Sequence, residues 1–160
     1  MKTKMKKLIS IKSVPVLALA LLVVLGTALG DSEGDTVTGS GQVNVNLGTG
    51  SGQGTAILSI EGEKFEGTVE VTVIPITEVT FIVIHEFAFG EDNTFSTEGY
   101  EAMKPADDPG LFVLNGDMNI TDRTGDFEDA EGEMSVHGKL QITEFPLAVV
   151  SFKVSGAISR

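Results

Sequence analysis

The feature that most constrains this fold is an alternation of apolar and polar residues with a period of two. It runs from Gly54 nearly to the C-terminus. FEGTVEVTVI, residues 65–74, and GEMSVHGKLQI, residues 132–142, both place apolar side chains at every second position. Successive side chains of a β-strand point to opposite faces, so this period predicts strands with one buried face. No segment of this region has the spacing of an amphipathic helix.

About eight such segments follow one another at short spacing. Closely spaced strands without helices are typical of all-β sandwiches and barrels. The last strand has no further segment to cover it, and closure would remove the exposed edges of the sheet. The sequence therefore predicts an all-β fold in which residues 54–160 form a single antiparallel β-barrel of about eight strands.

The first thirty residues have a different character. MKTKMKK is basic, Val14 to Leu25 is an apolar run, and Ala28-Leu29-Gly30 supplies small residues before Asp31. This is the three-part layout of a secretory signal. We predict a helical signal peptide over residues 1–30 and a secreted, periplasmic or otherwise extracytoplasmic protein. The alternative is an N-terminal membrane anchor with the rest of the chain facing outward.

Residues 31–53 are rich in Gly, Ser and Asp. This composition is typical of a flexible linker. Within it, QVNVNL alternates Val43, Val45 and Leu47 with asparagines, which predicts one short strand.

Charge and cysteine content exclude several classes of function. The chain carries a formal charge of −12; residues 1–30 hold five lysines and no acid, which leaves 6 basic and 23 acidic residues, or −17, for residues 31–160. This charge disfavours nucleic acid and anionic membranes as partners. The absence of cysteine excludes thiol catalysis and cysteine-ligated metals. We predict no cofactor, no nucleic acid, no membrane contact after signal cleavage, and no particular oligomeric state.

One motif resembles a known family. FAFGEDNTFSTEG, GLFVLNGDMNITDRTGDFEDAEGEMSVHGKL and FKVSGAIS are similar to segments of the allene oxide cyclase/dirigent-like β-barrel group. Asp122 and Arg123 stand where that family often has two glycines, which indicates a different turn. The residues that match its I-T-x-x-T-G-x-F-x-x-A-x-G pattern are Ile120, Thr121, Thr124, Gly125, Phe127, Ala130 and Gly132.

The resemblance covers roughly residues 54–159. It implies an eight-stranded antiparallel barrel whose interior holds an apolar small molecule. Family members include plant enzymes that steer a reactive intermediate to one stereochemical outcome, but no catalytic residue of theirs is carried over to this chain.

The acidic stretch TGDFEDAEGE, residues 124–133, has two interpretations. Hard cations accept varied carboxylate geometry, so a loose calcium site is one hypothesis, although the spacing does not fit an EF-hand loop. The favoured interpretation is a turn at Gly125, with Phe127 and Ala130 folded inward as a plug, Gly132 starting the next strand, and the acids in water. The candidate calcium ligands are Asp126, Glu128, Asp129 and Glu131.

The candidate site residues lie in VIHEFAF and around Tyr100. His85 shares a face with Phe81, Val83 and Phe87, whereas Glu86 lies on the opposite face. If the His85 face lines the barrel, His85 is a candidate acid or base. If the other face does, Glu86 becomes a buried carboxyl. His137 falls on a polar face and is expected to be exposed. The candidate ligand-binding residues are Phe81, Val83, His85, Phe87 and Tyr100, and the candidate catalytic residues are His85, Glu86 and Tyr100.

Three functions are consistent with these observations. The first is a non-enzymatic exported barrel that binds a small apolar ligand or acts as an extracellular accessory protein. The second is a cyclase or dirigent-type enzyme that steers an apolar substrate in the lumen. The third is a structural cell-surface protein with a packed lumen. The inventory of apolar inward positions with few polar groups favours the first.

Overall fold

The computed structural model describes residues 34–159, so the predicted signal peptide or anchor at residues 1–30 lies outside the described residues. One 3₁₀ turn, Gly125–Phe127, lies between the sixth and seventh strands. No helix among residues 34–159 has the length and hydropathy that a membrane span requires. The strands are β1 (Asp35–Asn46), β2 (Ser51–Ile60), β3 (Glu63–Pro75), β4 (Thr80–Ala88), β5 (Thr94–Pro105), β6 (Leu111–Arg123), β7 (Glu131–Glu144) and β8 (Leu147–Ser159).

The eight strands form one closed antiparallel barrel in simple sequence order. Each strand pairs with the next, and β1 pairs with β8 from Asp35 opposite Ile158 to Asn46 opposite Leu147. The predicted single antiparallel barrel of about eight strands is confirmed. Closure leaves no sheet edge in this part of the chain, since each of the eight strands has a hydrogen-bonded neighbour on both sides.

The prediction of a linker over residues 31–53 is wrong for most of that segment. Residues 35–46 form the whole of β1, which closes the barrel, and β2 begins at Ser51. The glycines are needed for packing inside the barrel. A Cβ atom on Gly39 would overlap Leu58, and one on Gly41 would overlap the ring of Phe152. The small residues of β1 therefore make room for large side chains on its neighbours.

One end of the barrel, here called the closed end, is filled by aromatic rings. It carries the β2–β3, β4–β5 and β6–β7 turns. Phe127 is fully buried there, and its ring centroid lies 5.2 Å from those of Phe65 and Phe95 and 5.9 Å from that of Phe89. Phe87 packs beneath this group, 4.9 Å from Phe95. Aromatic contacts at these spacings contribute beyond simple area burial.

The acidic stretch forms the plug of this closed end, as the favoured interpretation predicted. Phe127 and Ala130 are buried, whereas Asp126, Glu128 and Asp129 are exposed. Gly125 has a φ of 64°, and any Cβ there would overlap the Asn93 side chain. Asn93 accepts a hydrogen bond from Asp126 N at 3.1 Å and donates one to Asp126 Oδ2 at 2.8 Å. These bonds tie the plug to the β4–β5 turn.

The opposite end, here called the open end, carries the β1–β2, β3–β4, β5–β6 and β7–β8 turns. Backbone hydrogen bonds join the β1–β2 turn to the β7–β8 turn and to β3. Leu47 N donates to Pro146 O at 2.8 Å, and Val73 N donates to Gly50 O at 2.7 Å. Inward residues at this end include many valines, which are smaller than the phenylalanines of the closed end. The lumen is therefore packed at one end only.

Substitution of Gly41 by alanine tests the packing role of the glycines in β1. In an unconstrained strand this change stabilises the folded protein, because alanine has less backbone freedom than glycine in the unfolded chain. Here the new Cβ would meet Phe152 and lie 2.7 Å from Thr55 O, so we expect a loss of about 1–3 kcal/mol in the free energy of unfolding. Ser40→Ala, one residue away on the exposed face, is the control and should change it by less than about 0.5 kcal/mol. Equal denaturant midpoints for the two variants would show that residues 35–46 are not packed as described.

Candidate functional site

A cavity of about 420 Å³ occupies the open half of the lumen. This volume lies in the range of small-molecule sites, about 300–1,000 Å³. The walls are mainly valine, leucine, isoleucine and phenylalanine side chains from seven of the eight strands, and the β1–β2 turn forms part of the mouth. Of the residues that line it, only His85 and Glu101 carry ionisable side chains.

The structure decides which face of β4 points inward. Phe81, Val83 and His85 line the cavity, as predicted for the first of the two alternatives. Phe87 is buried just beyond it and stacks on the His85 ring at 5.9 Å. Glu86 lies on the exposed outer face, so the alternative that made it a buried carboxyl is wrong.

Tyr100 is not part of the site. Its side chain is 65% exposed on the outer face of the barrel, so its prediction as a ligand-binding or catalytic residue is wrong. An inward Tyr100 would require a bulge at Gly99. The register between β5 and β6 shifts at Ser96/Thr97 instead, and strict alternation holds from Thr97 through Glu101 to Met103.

The residue that sequence reasoning missed is Glu101, which is 8% exposed. It lies opposite Phe81 on β4 and opposite Gly116 on β6. A Cβ atom at Gly116 would lie 2.6 Å from Glu101 Cγ, so this glycine makes room for the glutamate side chain inside the barrel. The sequence did contain an indication, because strict alternation places Glu101 on the same face of β5 as Phe95, Thr97 and Met103. Its charge hid that signal, since carboxylates are rarely buried.

His85 and Glu101 belong to a chain of buried polar groups. Among residues 34–159 the buried polar or charged residues are His85, Thr97 and Glu101. Thr97 Oγ1 donates to Met118 Sδ at 3.0 Å and lies 3.4 Å from His85 Nδ1. Since the thioether can only accept, the Thr97 oxygen is left to accept from Nδ1–H. We assign the neutral tautomer in which His85 Nε2 is unprotonated and faces Glu101.

His85 Nε2 lies 3.6 Å from Glu101 Oε1, which is too long for a direct hydrogen bond. Burial lowers the pKa of His85 to about 4 and raises the pKa of Glu101 to about 7. Between these pH values the Glu101 carboxyl group is protonated and the His85 imidazole is neutral. The two groups therefore form an uncharged pair, because an ion pair would require both charges to be removed from water. Above about pH 7 Glu101 becomes a buried carboxylate.

The calcium hypothesis has no geometric support. Within the described part of the chain, no group of three or more His, Cys, Asp or Glu side chains is arranged to hold a metal ion. Asp126 is hydrogen-bonded to Asn93, and Glu131 lies 3.4 Å from Arg123, which also donates to Ala130 O. Two of the four candidate ligands therefore contact other protein groups, and Glu128 and Asp129 are exposed.

His137 is exposed, as predicted. Its Nδ1 lies 2.8 Å from Asn115 Oδ1 on the neighbouring strand β6, so its polar contact is on the outer face of the barrel. It takes no part in the cavity.

Comparisons with family profiles, with curated proteins and with solved structures find no match to this chain. The resemblance to the allene oxide cyclase/dirigent-like group therefore stays a prediction. The fold and the geometry of the cavity are the basis on which a function can be assigned.

Single substitutions of the buried pair should produce opposite pH dependences of stability. In His85→Asn, Glu101 keeps a folded pKa above its ordinary value of 4.5, so its stability contribution is present at low pH and is lost as pH rises to about 7. In Glu101→Gln, His85 keeps a folded pKa below its ordinary value of 6.5, so stability is gained as pH rises from about 4 to 6.5. In the wild type the two effects largely cancel between pH 4.5 and 6.5.

The measurement is the free energy of unfolding in denaturant at pH 5.0 and pH 7.5. We expect the change between the two pH values to differ between the single variants by about 2 kcal/mol or more. The His85→Asn/Glu101→Gln double variant is the control and should lack both contributions. Parallel pH profiles for the two single variants would contradict the assigned protonation states.

Proposed function

We propose that this protein is an exported binding protein that holds a small, mainly apolar molecule in the open half of its barrel. The observation that carries the proposal is the cavity itself: about 420 Å³ with apolar walls and one buried polar pair. A few polar groups in an otherwise apolar pocket are the arrangement that orients a small ligand.

The distribution of side-chain volume favours a ligand over a packed structural lumen. Five phenylalanines fill the closed end, and they account for a stable core there. The cavity is lined mainly by smaller residues, among them Val43, Val71 and Val83, with three phenylalanines. A purely structural barrel would gain stability from larger side chains at these positions, because unfilled volume is unfavourable.

Exposed apolar residues at the open end support access from this side. They belong to the β3–β4 and β7–β8 segments, which border the mouth. Single exposed apolar residues are ordinary, but a group around one opening is typical of a ligand route. These residues are Ile74, Ile76, Val79, Phe145 and Leu147, each at least 44% exposed.

Two features of the sequence support an extracytoplasmic location. They are the acidic character of the barrel and the basic, apolar segment at residues 1–30. With a charge of −17 on residues 31–160, the protein is also suited to remain soluble and apart from anionic surfaces. This supports the proposal that it carries or sequesters its ligand outside the cytoplasm.

One observation favours a second function, an enzyme that steers an apolar substrate in the lumen. Burial raises the pKa of Glu101 to about 7, where a carboxyl can both donate and accept a proton near neutral pH. His85 lies beside it with an unprotonated nitrogen. The two groups supply an acid and a base in a cavity whose walls would restrict the substrate conformation.

Cavity filling provides the test of binding. The uncharged fluorophore N-phenyl-1-naphthylamine should bind to the protein and increase its emission. Val73→Trp places a large ring in the cavity and should reduce this binding by at least about tenfold, since it removes much of the space. Thr72→Trp puts the same ring on the exposed outer face of the same strand and is the control. Equal fluorophore binding by both variants, or none by the wild type, would contradict the proposed site.

Native mass spectrometry separates binding from catalysis. The protein is incubated with an apolar extract of its source cells, and the bound molecules are identified at the start and after prolonged incubation. A binding protein should return its ligand unchanged. A catalyst should yield a product of altered mass or chromatographic retention, and Glu101→Gln should abolish that conversion while still retaining the substrate. Conversion that persists in Glu101→Gln would exclude Glu101 as the proton-transfer group.

A further inference from the structure

We propose that the ligand carries a protonated amine, which the cavity holds between Glu101 and His85 while the apolar part fills the valine-lined space toward the mouth. This rests on the proposed function and deepens it by naming the chemical class of the ligand. The ligand class is thus an apolar or amphiphilic amine, and the recognition group is its ammonium.

The polar groups that face the cavity complement a cation. The Glu101 carboxylate is an acceptor, and His85 beside it is uncharged because burial lowers its pKa to about 4. Among the residues that the structure describes, no lysine or arginine lines the cavity. A buried carboxylate without a permanent cation is costly, and a ligand ammonium offsets that cost.

The orientation of His85 adds a second acceptor. Thr97 directs its hydroxyl proton to Met118 Sδ, which leaves its oxygen to accept from His85 Nδ1–H. The His85 nitrogen that faces Glu101 is then also an acceptor. Two acceptors 3.6 Å apart are complementary to one group with several N–H donors. A primary ammonium has three donors, so it can hydrogen-bond with both.

The position of the pair along the barrel sets the orientation of the ligand. Glu101 pairs directly with Phe81 near the mouth, and its side chain reaches toward His85, which lies four residues from Phe81 on β4. At about 3.3 Å per residue this separation is about 13 Å along the strand. Phe87 and the closed-end aromatic group lie beyond His85, so the cavity ends there. The charged head would therefore bind between the levels of Phe81 and His85, with the apolar chain toward the open end.

The net charge outside the cavity also favours a cationic ligand. Residues 31–160 carry a formal charge of −17, which raises the local concentration of cations and lowers that of anions. An apolar carboxylate would meet this field and the buried Glu101 carboxylate, so fatty acids are disfavoured. A neutral alcohol can hydrogen-bond to the pair but gains no charge-assisted bond.

Competition among ligands that differ only in their head groups tests the inference. Octylamine, octanol and octanoate are titrated separately against bound N-phenyl-1-naphthylamine at pH 8.5, where Glu101 is ionised and the amine is protonated. We expect octylamine to compete at least about tenfold better than octanol, since hydrogen bonds between charged groups exceed neutral ones by that margin. Octanoate should compete least.

Two variants locate the preference. Glu101→Gln should abolish the advantage of octylamine over octanol while both still displace the fluorophore. Glu98→Gln removes the same charge from the exposed face of the same strand and should leave the advantage intact. At pH 5.0 the wild-type preference should also fall, because Glu101 is then protonated. The ionisable group that faces Glu101 in the cavity is His85. The cavity-lining residues on β1, β3, β6, β7 and β8 have no ionisable side chains.

The outcomes distinguish this inference from the proposed function. If the fluorophore and octanol bind but octylamine has no advantage, the binding function stands and the amine assignment is wrong. If Glu101→Gln and Glu98→Gln reduce octylamine binding equally, the preference arises from the surface charge and the site is wrong. If neither the fluorophore nor any of the three compounds binds, the proposed function itself fails.

Discussion

The pairing of β1 with β8 closes the sheet, and closure limits the volume that all inward side chains share. An eight-stranded barrel is just wide enough to be filled by its own residues or to hold one small ligand. Gly39 and Gly41 adapt to this limit by giving space to Leu58 and Phe152. At the closed end the space is taken by phenylalanines, and at the open end valines leave about 420 Å³ unfilled. The cavity is a consequence of this unequal distribution of side-chain volume.

The same limit explains why a glutamate is accommodated inside. Gly116 leaves room for the Glu101 side chain, and Thr97 and Met118 orient the histidine that faces it. Burial keeps the pair uncharged at mildly acidic pH, and the Glu101 carboxyl group ionises near neutral pH. A barrel that needed only stability would be served better by an apolar residue at position 101, since buried ionisable groups are costly. The proposed contact with a ligand would offset that cost.

Some parts of the site could be predicted from residue patterns and others could not. The pattern placed Phe81, Val83 and His85 on one face of β4, and it predicted that Phe127 and Ala130 would close one end. It was misleading for residues 35–46, because glycine content was interpreted as flexibility when it reflects close packing inside the barrel. It was misleading for Tyr100, whose ring suggested a ligand contact although its parity is that of the outer face. Glu101 was passed over because its charge suggested solvent.

Alternation alone is enough to predict antiparallel strands and their approximate number. It also divides the residues of each strand into two sets, one for each face of the sheet. It does not label either set as inner, because a period of two is unchanged when the faces are exchanged. That choice depends on which residues meet across the closed barrel, as His85 of β4 and Phe152 of β8 do. The unfilled volume likewise depends on how side chains from distant strands pack together. Both properties arise from contacts between strands, which only the folded barrel brings together.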